Sequence, residues 1–324
     1  MAKVLGMGNA LIDIMTQIDD DSVLEKFGLP KGSMQLKDCD FIQMLEKNTS
    51  DFPKQLTSGG SAANTIHGLA NMGIETGFMG KVGKDEYGEF FKTDIINQNI
   101  SPNIFYGNAS SGKAFALISP DSERTFATYL GASIELCAED LKDEYFKGYD
   151  IFYIEGYLVQ NHNLIKKAVE LAKKNGLKVS LDLASFNIVE ENIEFLKKLI
   201  LDYVDIIFAN EEEAKAFTGK EPDKALDIIS EMCEIAIVKI GKKGSIIKKD
   251  NNIYKIGIVG IDALDTTGAG DLYAAGFIYG LIKGLDMDKC GQVGSILSGK
   301  VIEVVGAKIE TKKWVEIREI INKL

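Results

Sequence analysis

With 324 residues, 45% of them hydrophobic and 26% charged, the chain holds enough apolar material to bury a sizeable core, which excludes intrinsic disorder. Its 48 acidic against 37 basic residues leave a net charge of −11, which argues against a duplex-DNA or anionic-membrane footprint. Cys39, Cys137, Cys233 and Cys290 are scattered without a Cys-x-x-Cys pair, so neither a disulfide framework nor a zinc site is indicated and a reducing cytoplasm fits.

The first strand-like run begins at Lys3 with no charged-then-apolar leader, and no stretch approaches the roughly 18 apolar residues that span a bilayer. A soluble, cytoplasmic protein is expected. Short runs rich in Val, Ile and Phe predict strands over residues 4–8, 75–80, 151–154, 178–183, 206–209, 236–240 and 253–261. Helices are predicted over 65–72, 163–174, 272–285 and 289–305; in the second, Leu164, Ala168, Leu171 and Ala172 share one face. Strands alternating with helices imply an α/β fold whose central sheet is mainly parallel and covered on both sides. Residues 14–36 and 103–128 break that rhythm, reading as strands and turns without crossover helices. They are expected to form a small β-rich lid over the carboxyl edge of the sheet, where open α/β folds bind ligands, as an outgrowth of a single domain spanning 1–324.

The most informative string is Asp265-Thr266-Thr267-Gly268-Ala269-Gly270-Asp271, between the last predicted strand and the 272–285 helix. Glycines at a helix mouth bare backbone N–H groups, which with the helix dipole make a seat for phosphate-like charge. An acid in the first turn, if it faces the same pocket, can orient or deprotonate a hydroxyl beside a bound phosphoryl group, and that is kinase chemistry. A tight turn with an acid on a helix dipole accounts for the same letters. Upstream, Gly6-Met7-Gly8-Asn9 follows the first strand, but Leu11 stands where a dinucleotide fingerprint has its third glycine, which disfavours a dehydrogenase. Asp13 is a charged residue among Leu11, Ile12, Ile14 and Met15. Its carboxylate either accepts hydrogen bonds from vicinal sugar hydroxyls or lies on an edge strand or turn. In Ser58-Gly59-Gly60-Ser61-Ala62-Ala63-Asn64, small residues ahead of a helix permit close approach of a ligand or of a neighbouring helix. Asn210-Glu211-Glu212-Glu213 places acids in a first helical turn, which is ordinary capping chemistry. Gly294-Ser295-Ile296-Leu297-Ser298-Gly299-Lys300 has P-loop spacing, yet Val301 replaces the Ser or Thr that would follow and no clear strand feeds it, so it reads as a small-residue helix face.

Together these motifs resemble those of the ribokinase-like, or pfkB, carbohydrate and nucleoside kinases, and the resemblance covers nearly the whole chain. It implies a ribokinase-like three-layer sandwich and transfer of the ATP γ-phosphoryl group to an alcohol. By the same resemblance Asp271 is the catalytic base, the backbone of Gly268, Ala269 and Gly270 is the anion hole, and Asn9, Asp13, Gly59, Gly60 and Asn64 form the acceptor site. The order Asn-x-x-Glu matches a family motif that organises magnesium waters and phosphate, which puts Asn210 at ATP and Glu213 at the metal through water. Val238-Lys239-Ile240-Gly241-Lys242-Lys243-Gly244 is similar to the segment that embraces ATP, so Gly241 and Gly244 carry over. Lys239 departs from the Thr often found there, and a plain hairpin turn with two solvated lysines explains the segment equally well. Three features lean toward adenosine: the long span from Asn9 to Gly59, the Leu29-Pro30-Lys31-Gly32-Ser33-Met34 element within it, and Tyr153-Ile154-Glu155-Gly156-Tyr157-Leu158, which resembles adenosine kinases. Met34, Phe115 and Tyr157 are then candidates to stack on an adenine ring, and Arg124 to close on phosphate or substrate. Sugar kinases of the same family, acting on ribose, fructose or 2-keto-3-deoxygluconate, are the alternative. ATP and Mg2+ are the implied cofactors, with K+ near Asp265 a further one. The implied partners are small molecules, ATP and a nucleoside or sugar, with no nucleic acid or membrane, and both a monomer and a lid-mediated homodimer fit.

Overall fold

The computed structural model describes residues 2–121, 123–259 and 263–324. Fourteen strands are present among them: β1 (Lys3–Met7), β2 (Leu11–Gln17), β3 (Met34–Leu36), β4 (Lys54–Gly59), β5 (Glu75–Val82), β6 (Ile100–Tyr106), β7 (Gly112–Ile118), β8 (Arg124–Tyr129), β9 (Ile151–Glu155), β10 (Lys178–Asp182), β11 (Ile206–Asn210), β12 (Ile235–Lys239), β13 (Ser245–Lys249) and β14 (Asn252–Ile256). Nine of them form one sheet in the order β14-β13-β12-β11-β10-β9-β1-β5-β6. Every pairing from β12 across to β6 is parallel, and β13 and β14 close the other edge as antiparallel hairpins. Strands buried on both faces need apolar side chains at successive positions. In β9, Ile151 and Tyr153 enter one core and Phe152 and Ile154 the other, so helices pack on both faces of this sheet. No helix among the described residues is long and apolar enough to cross a membrane.

The direction in which strands are added reverses at β1: β5 and β6 lie on one side of it and β9 to β12 on the other. Ligands of open α/β sheets bind outside the carboxyl ends of the strands at such a switch point, here the ends of β1 and β9. The second sheet, β3-β8-β7-β2-β4, is smaller and mostly built from the irregular stretches. Its composition differs from the lid expected over 14–36 and 103–128. Residues 103–106 belong to β6, the edge strand of the large sheet, and Pro102 in that strand suits an edge position. Strand β4, outside both stretches, joins the small sheet by pairing antiparallel with β2. Within 14–36 a short helix, Ser22–Lys26, interrupts the strands.

The helix Ala269–Ile282 is apolar on all sides, with every residue from Leu272 to Gly280 buried. A helix of that kind belongs inside. Small residues let its neighbours reach it: a Cβ on Gly68 would lie 2.8 Å from Ala275, and one on Gly276 would lie 2.6 Å from the Val293 carbonyl. The helices Ser61–Asn71 and Met287–Val301 therefore pack close against it. The P-loop-like string falls wholly inside the second of these, as a small-residue packing face.

Candidate active site

The start of the helix Ser61–Asn71 meets the start of the helix Ala269–Ile282, and side chains from the two are tied together there. Ser61 Oγ donates to Asp271 Oδ1 at 2.7 Å, Asn64 Nδ2 donates to Asp271 Oδ2 at 3.0 Å, and Thr65 Oγ1 donates to the Asp271 carbonyl at 3.2 Å. Both carboxylate oxygens are thus oriented by side chains from a different element. Burial pushes the Asp271 carboxyl up to about 6; the bonds from Ser61 and Asn64 oppose that rise, and nearby Asp182 adds to it. Ahead of Asp271 the chain turns through Gly268 at φ 75°, where a Cβ would collide with Ala307 at 2.6 Å. That left-handed turn starts the helix, whose first residue, Ala269, donates its N–H to the Thr266 carbonyl at 3.2 Å.

Opposite lies Asp13 on β2. Its carboxyl sits directly over the α-carbon of Gly59, where an added Cβ would be 2.3 Å away. Burial drives Asp13 up to about 7, Lys308 pulls it down and Asp271 pushes it further up, so the two acids feel each other. Gly60, at φ 103°, lets the chain pass against the Asn9 carbonyl, 2.1 Å from the place of a Cβ. Asn9 is held by Glu155: its N–H and its Nδ2 donate to Oε1 at 2.9 and 2.8 Å, while Ala62 N–H donates to Oε2 at 2.8 Å. Glu155 is buried, and burial lifts it to about 7. This acid fastens the end of β1 to the mouth of the Ser61–Asn71 helix. Asn9 and Tyr157 then line a cleft of about 700 Å³ with Leu130, Ile134, Leu136 and Asn161.

On the far side of Asp271 is a second charged group. Lys239, at the end of β12, donates to Asp182 Oδ2 at 3.0 Å, and its Nζ lies 3.0 Å from where a Cβ on Gly270 would stand. Asn210 and Glu213 form a reciprocal cap: Asn210 N–H and Nδ2 donate to the two Glu213 oxygens at 2.8 and 2.6 Å, and Glu213 N–H donates to Asn210 Oδ1 at 2.8 Å. Glu213 is raised to about 7 by burial and by Asp182. Gly241 and Gly244 shape the turn between β12 and β13, where Ile240 N–H donates to the Gly244 carbonyl at 2.8 Å.

Three expected residues stand elsewhere. Phe115 exposes no surface: it packs in the core beneath the small sheet, because β7 is buried along almost its whole length, and it offers no face to a ring. Met34 is 58% exposed and lines a separate cavity of about 410 Å³ with Arg124 and Thr266. Arg124 is buried in an ion pair with Asp265, whose oxygens also accept from Thr267 N–H, Thr267 Oγ1 and Gly306 N–H at 2.9, 2.7 and 2.7 Å. A guanidinium therefore balances the acid beside which the resemblance implies a monovalent cation. The predicted strand over 253–261 ends at Ile256, and residues 260–262 lie outside the described residues.

Sequence reading singled out none of Ser61, Asp182, Lys239 and Lys308 as site residues. Asp182 could have been found, since it ends a parallel strand at the binding edge. Lys308, which donates to Ser58 Oγ at 3.2 Å, belongs to no motif, and only the folded chain brings it beside Asp13.

Comparison with known proteins shows the family. An adenosine kinase from Sinorhizobium meliloti superposes with a TM-score of 0.87 at 33% identity, covering 98% of this chain and 99% of that one. A probable sugar kinase from Rhizobium etli gives 0.87 at 30%, covering 98% of each. A 5-dehydro-2-deoxygluconokinase from Clostridium perfringens is 29% identical over 86% of this chain and 90% of its own. Residues 39–314 match the pfkB family carbohydrate kinases. With that match covering most of the chain, the chain belongs to the pfkB family, as an ATP-dependent phosphotransferase acting on an alcohol group.

Proposed function

We propose that the protein transfers the γ-phosphoryl group of ATP to the 5′-hydroxyl of a nucleoside, adenosine foremost. The observation that carries this reading is the Asp271 carboxylate, aimed by Ser61 and Asn64 at the mouth of an apolar helix with Asp13 across from it. In the proposed reaction the acceptor oxygen attacks the γ-phosphorus, its proton passes to Asp271, and the bond to ADP breaks. The backbone N–H groups of Gly268, Ala269 and Gly270 take up the charge on the transferred group, that of Ala269 by giving up its bond to the Thr266 carbonyl. Asp13 accepts hydrogen bonds from ribose hydroxyls, which fixes the acceptor without taking part in proton transfer.

Mg2+ fits the donor set. Glu213 supplies oxygen only, and both its oxygens are already hydrogen-bonded by Asn210, which suits an ion held through its own waters. When bound, the ion would neutralise phosphate charge.

For the acceptor, support comes from the likeness to the adenosine kinase from Sinorhizobium meliloti and from the cleft beside Asn9. At about 700 Å³, with Tyr157 and several aliphatic side chains on its walls, it has room for a flat base. One observation favours a sugar or sugar acid instead. Lys308 sets a cation near Asp13, where a carboxylated acceptor would find it. Coupled ATP consumption measured with adenosine, other nucleosides, ribose, fructose and 2-keto-3-deoxygluconate decides between them. The expected outcome is the highest kcat/KM for adenosine; a preference for the sugar acid would replace adenosine with the second reading.

A further inference from the structure

We propose that Arg124 carries the positive charge at Asp265 in this protein, so that the K+ implied there by resemblance has no place and neither folding nor turnover calls for a monovalent cation. Its bearing on turnover rests on the kinase reading above; the charge balance at Asp265 does not.

An ion of this kind exchanges its water shell for protein oxygens that have lone pairs free. Asp265 has none free. An ionised carboxylate offers about four lone-pair sites. Its Oδ1 accepts from Thr267 N–H and Thr267 Oγ1 at 2.9 and 2.7 Å, and its Oδ2 accepts from Gly306 N–H at 2.7 Å and from Arg124 Nη1. The Ile302 carbonyl, which meets the start of the same string, is also used twice, by Leu264 N–H at 2.8 Å and by Asp265 N–H at 3.2 Å. Arg124 Nε and Nη2 are buried without an acceptor among the described residues. Where buried N–H groups go short of oxygen, an ion that needs several oxygens is worse served.

Charge points the same way. Arg124 and Asp265 keep only 7% and 6% of their side-chain surface exposed. A guanidinium stays protonated at any working pH, so the pair is neutral as built. A further cation beside it would be a buried charge without a counter-charge, repelled at close range by the guanidinium. The competing account makes the ion pair a latch that opens when ligands bind and then admits an ion to Asp265. It predicts activation by K+ that saturates.

Turnover and melting temperature of the full-length protein are measured in KCl and in tetramethylammonium chloride at equal ionic strength, with Mg2+ in both. The wild type should differ by less than about 2-fold in kcat/KM and keep one melting temperature at all KCl concentrations, since an ion bound to the folded state alone would raise it as concentration grows. Arg124→Gln leaves the Asp265 charge unbalanced. Its melting temperature should fall below that of the wild type in tetramethylammonium and rise again with K+ or methylguanidinium, either of which can stand in for the lost charge. Saturable activation of the wild type by K+ overturns the proposal, and so does a folded Arg124→Gln protein that melts like the wild type in tetramethylammonium. The wild-type measurements decide the need for K+ whether or not the variant folds. Should the wild type turn over no acceptor in either salt, the kinase reading fails, and the melting temperatures still report on the cation.

Discussion

Asp271 is an acid in two opposed environments. Burial raises it, and donors from Ser61 and Asn64 keep it from rising further than about 6. A base must be ionised to accept a proton, so turnover should fall as pH drops through about 6 and level off above it, provided binding is saturated. Asp271→Asn keeps the shape and removes the base. Turnover is expected to drop roughly 10²- to 10⁴-fold with ATP binding retained, and a rate within a few-fold of wild type would take the proton-transfer role from this residue. Asp13 answers to a different measurement. Asp13→Asn should weaken acceptor binding by about 1.5–3 kcal/mol for each charge-assisted bond lost, seen as a higher acceptor KM with the ATP KM unchanged. Equal acceptor KM values for variant and wild type would place Asp13 outside the site. Sequence made Asp13 and Asp271 visible because each interrupts an apolar or glycine-rich string. It hid Lys308, whose neighbours Gly306 and Ala307 form no pattern with Ser58 until the chain is folded.

The elements were legible where apolar periodicity runs up to their ends. Strand β9 and the helix His162–Lys174 lie within a residue of their predicted limits. Helix starts were missed at the two elements that meet at Asp271, although the one after Asn210 was read correctly. The helices Ser61–Asn71 and Ala269–Ile282 begin four and three residues before their predicted starts, because Ser, Ala, Gly and Asp in a first turn show no apolar repeat. Phe115 shows the converse failure: an aromatic residue reads the same in a binding cleft and in a core, and only the two buried faces of β7 decide. Packing of the phosphate-seat helix can be tested through Gly276. A methyl there would meet the Val293 carbonyl at 2.6 Å and Gly294 Cα at 2.8 Å, both backbone atoms that cannot swing aside. Gly276→Ala is expected to cost about 1–3 kcal/mol in denaturant unfolding. An unchanged midpoint would mean that the two helices are free to separate.

Across the whole molecule the binding edge concentrates acids that the core has made reluctant to ionise. Glu155, Glu213 and Asp13 are each lifted to about 7, mainly by burial, and Asp271 to about 6. The folded chain therefore holds these protons more tightly than the unfolded chain, whose carboxyls titrate near pH 4 to 4.5. Stability from this source is full below that range and is lost as pH rises through about 7. Ion-paired surface acids such as Asp143, drawn down to about 2 chiefly by its bond with Lys174, titrate below the window; buried His67, held well below its ordinary range by burial, opposes the trend as pH falls, one group against four. Scanning calorimetry of the unliganded protein should give a higher Tm at pH 5.5 than at pH 8. A profile that is level or climbs over that interval would mean the four carboxyls are ordinary.

The ion pair of Arg124 with Asp265 joins the first residue of β8 in the small sheet to the first residue of the string that ends at Asp271. Pulling such a pair apart inside the protein strands two charges. Any displacement of the smaller sheet would therefore have to break this pair and disturb the turn that leads to Asp271.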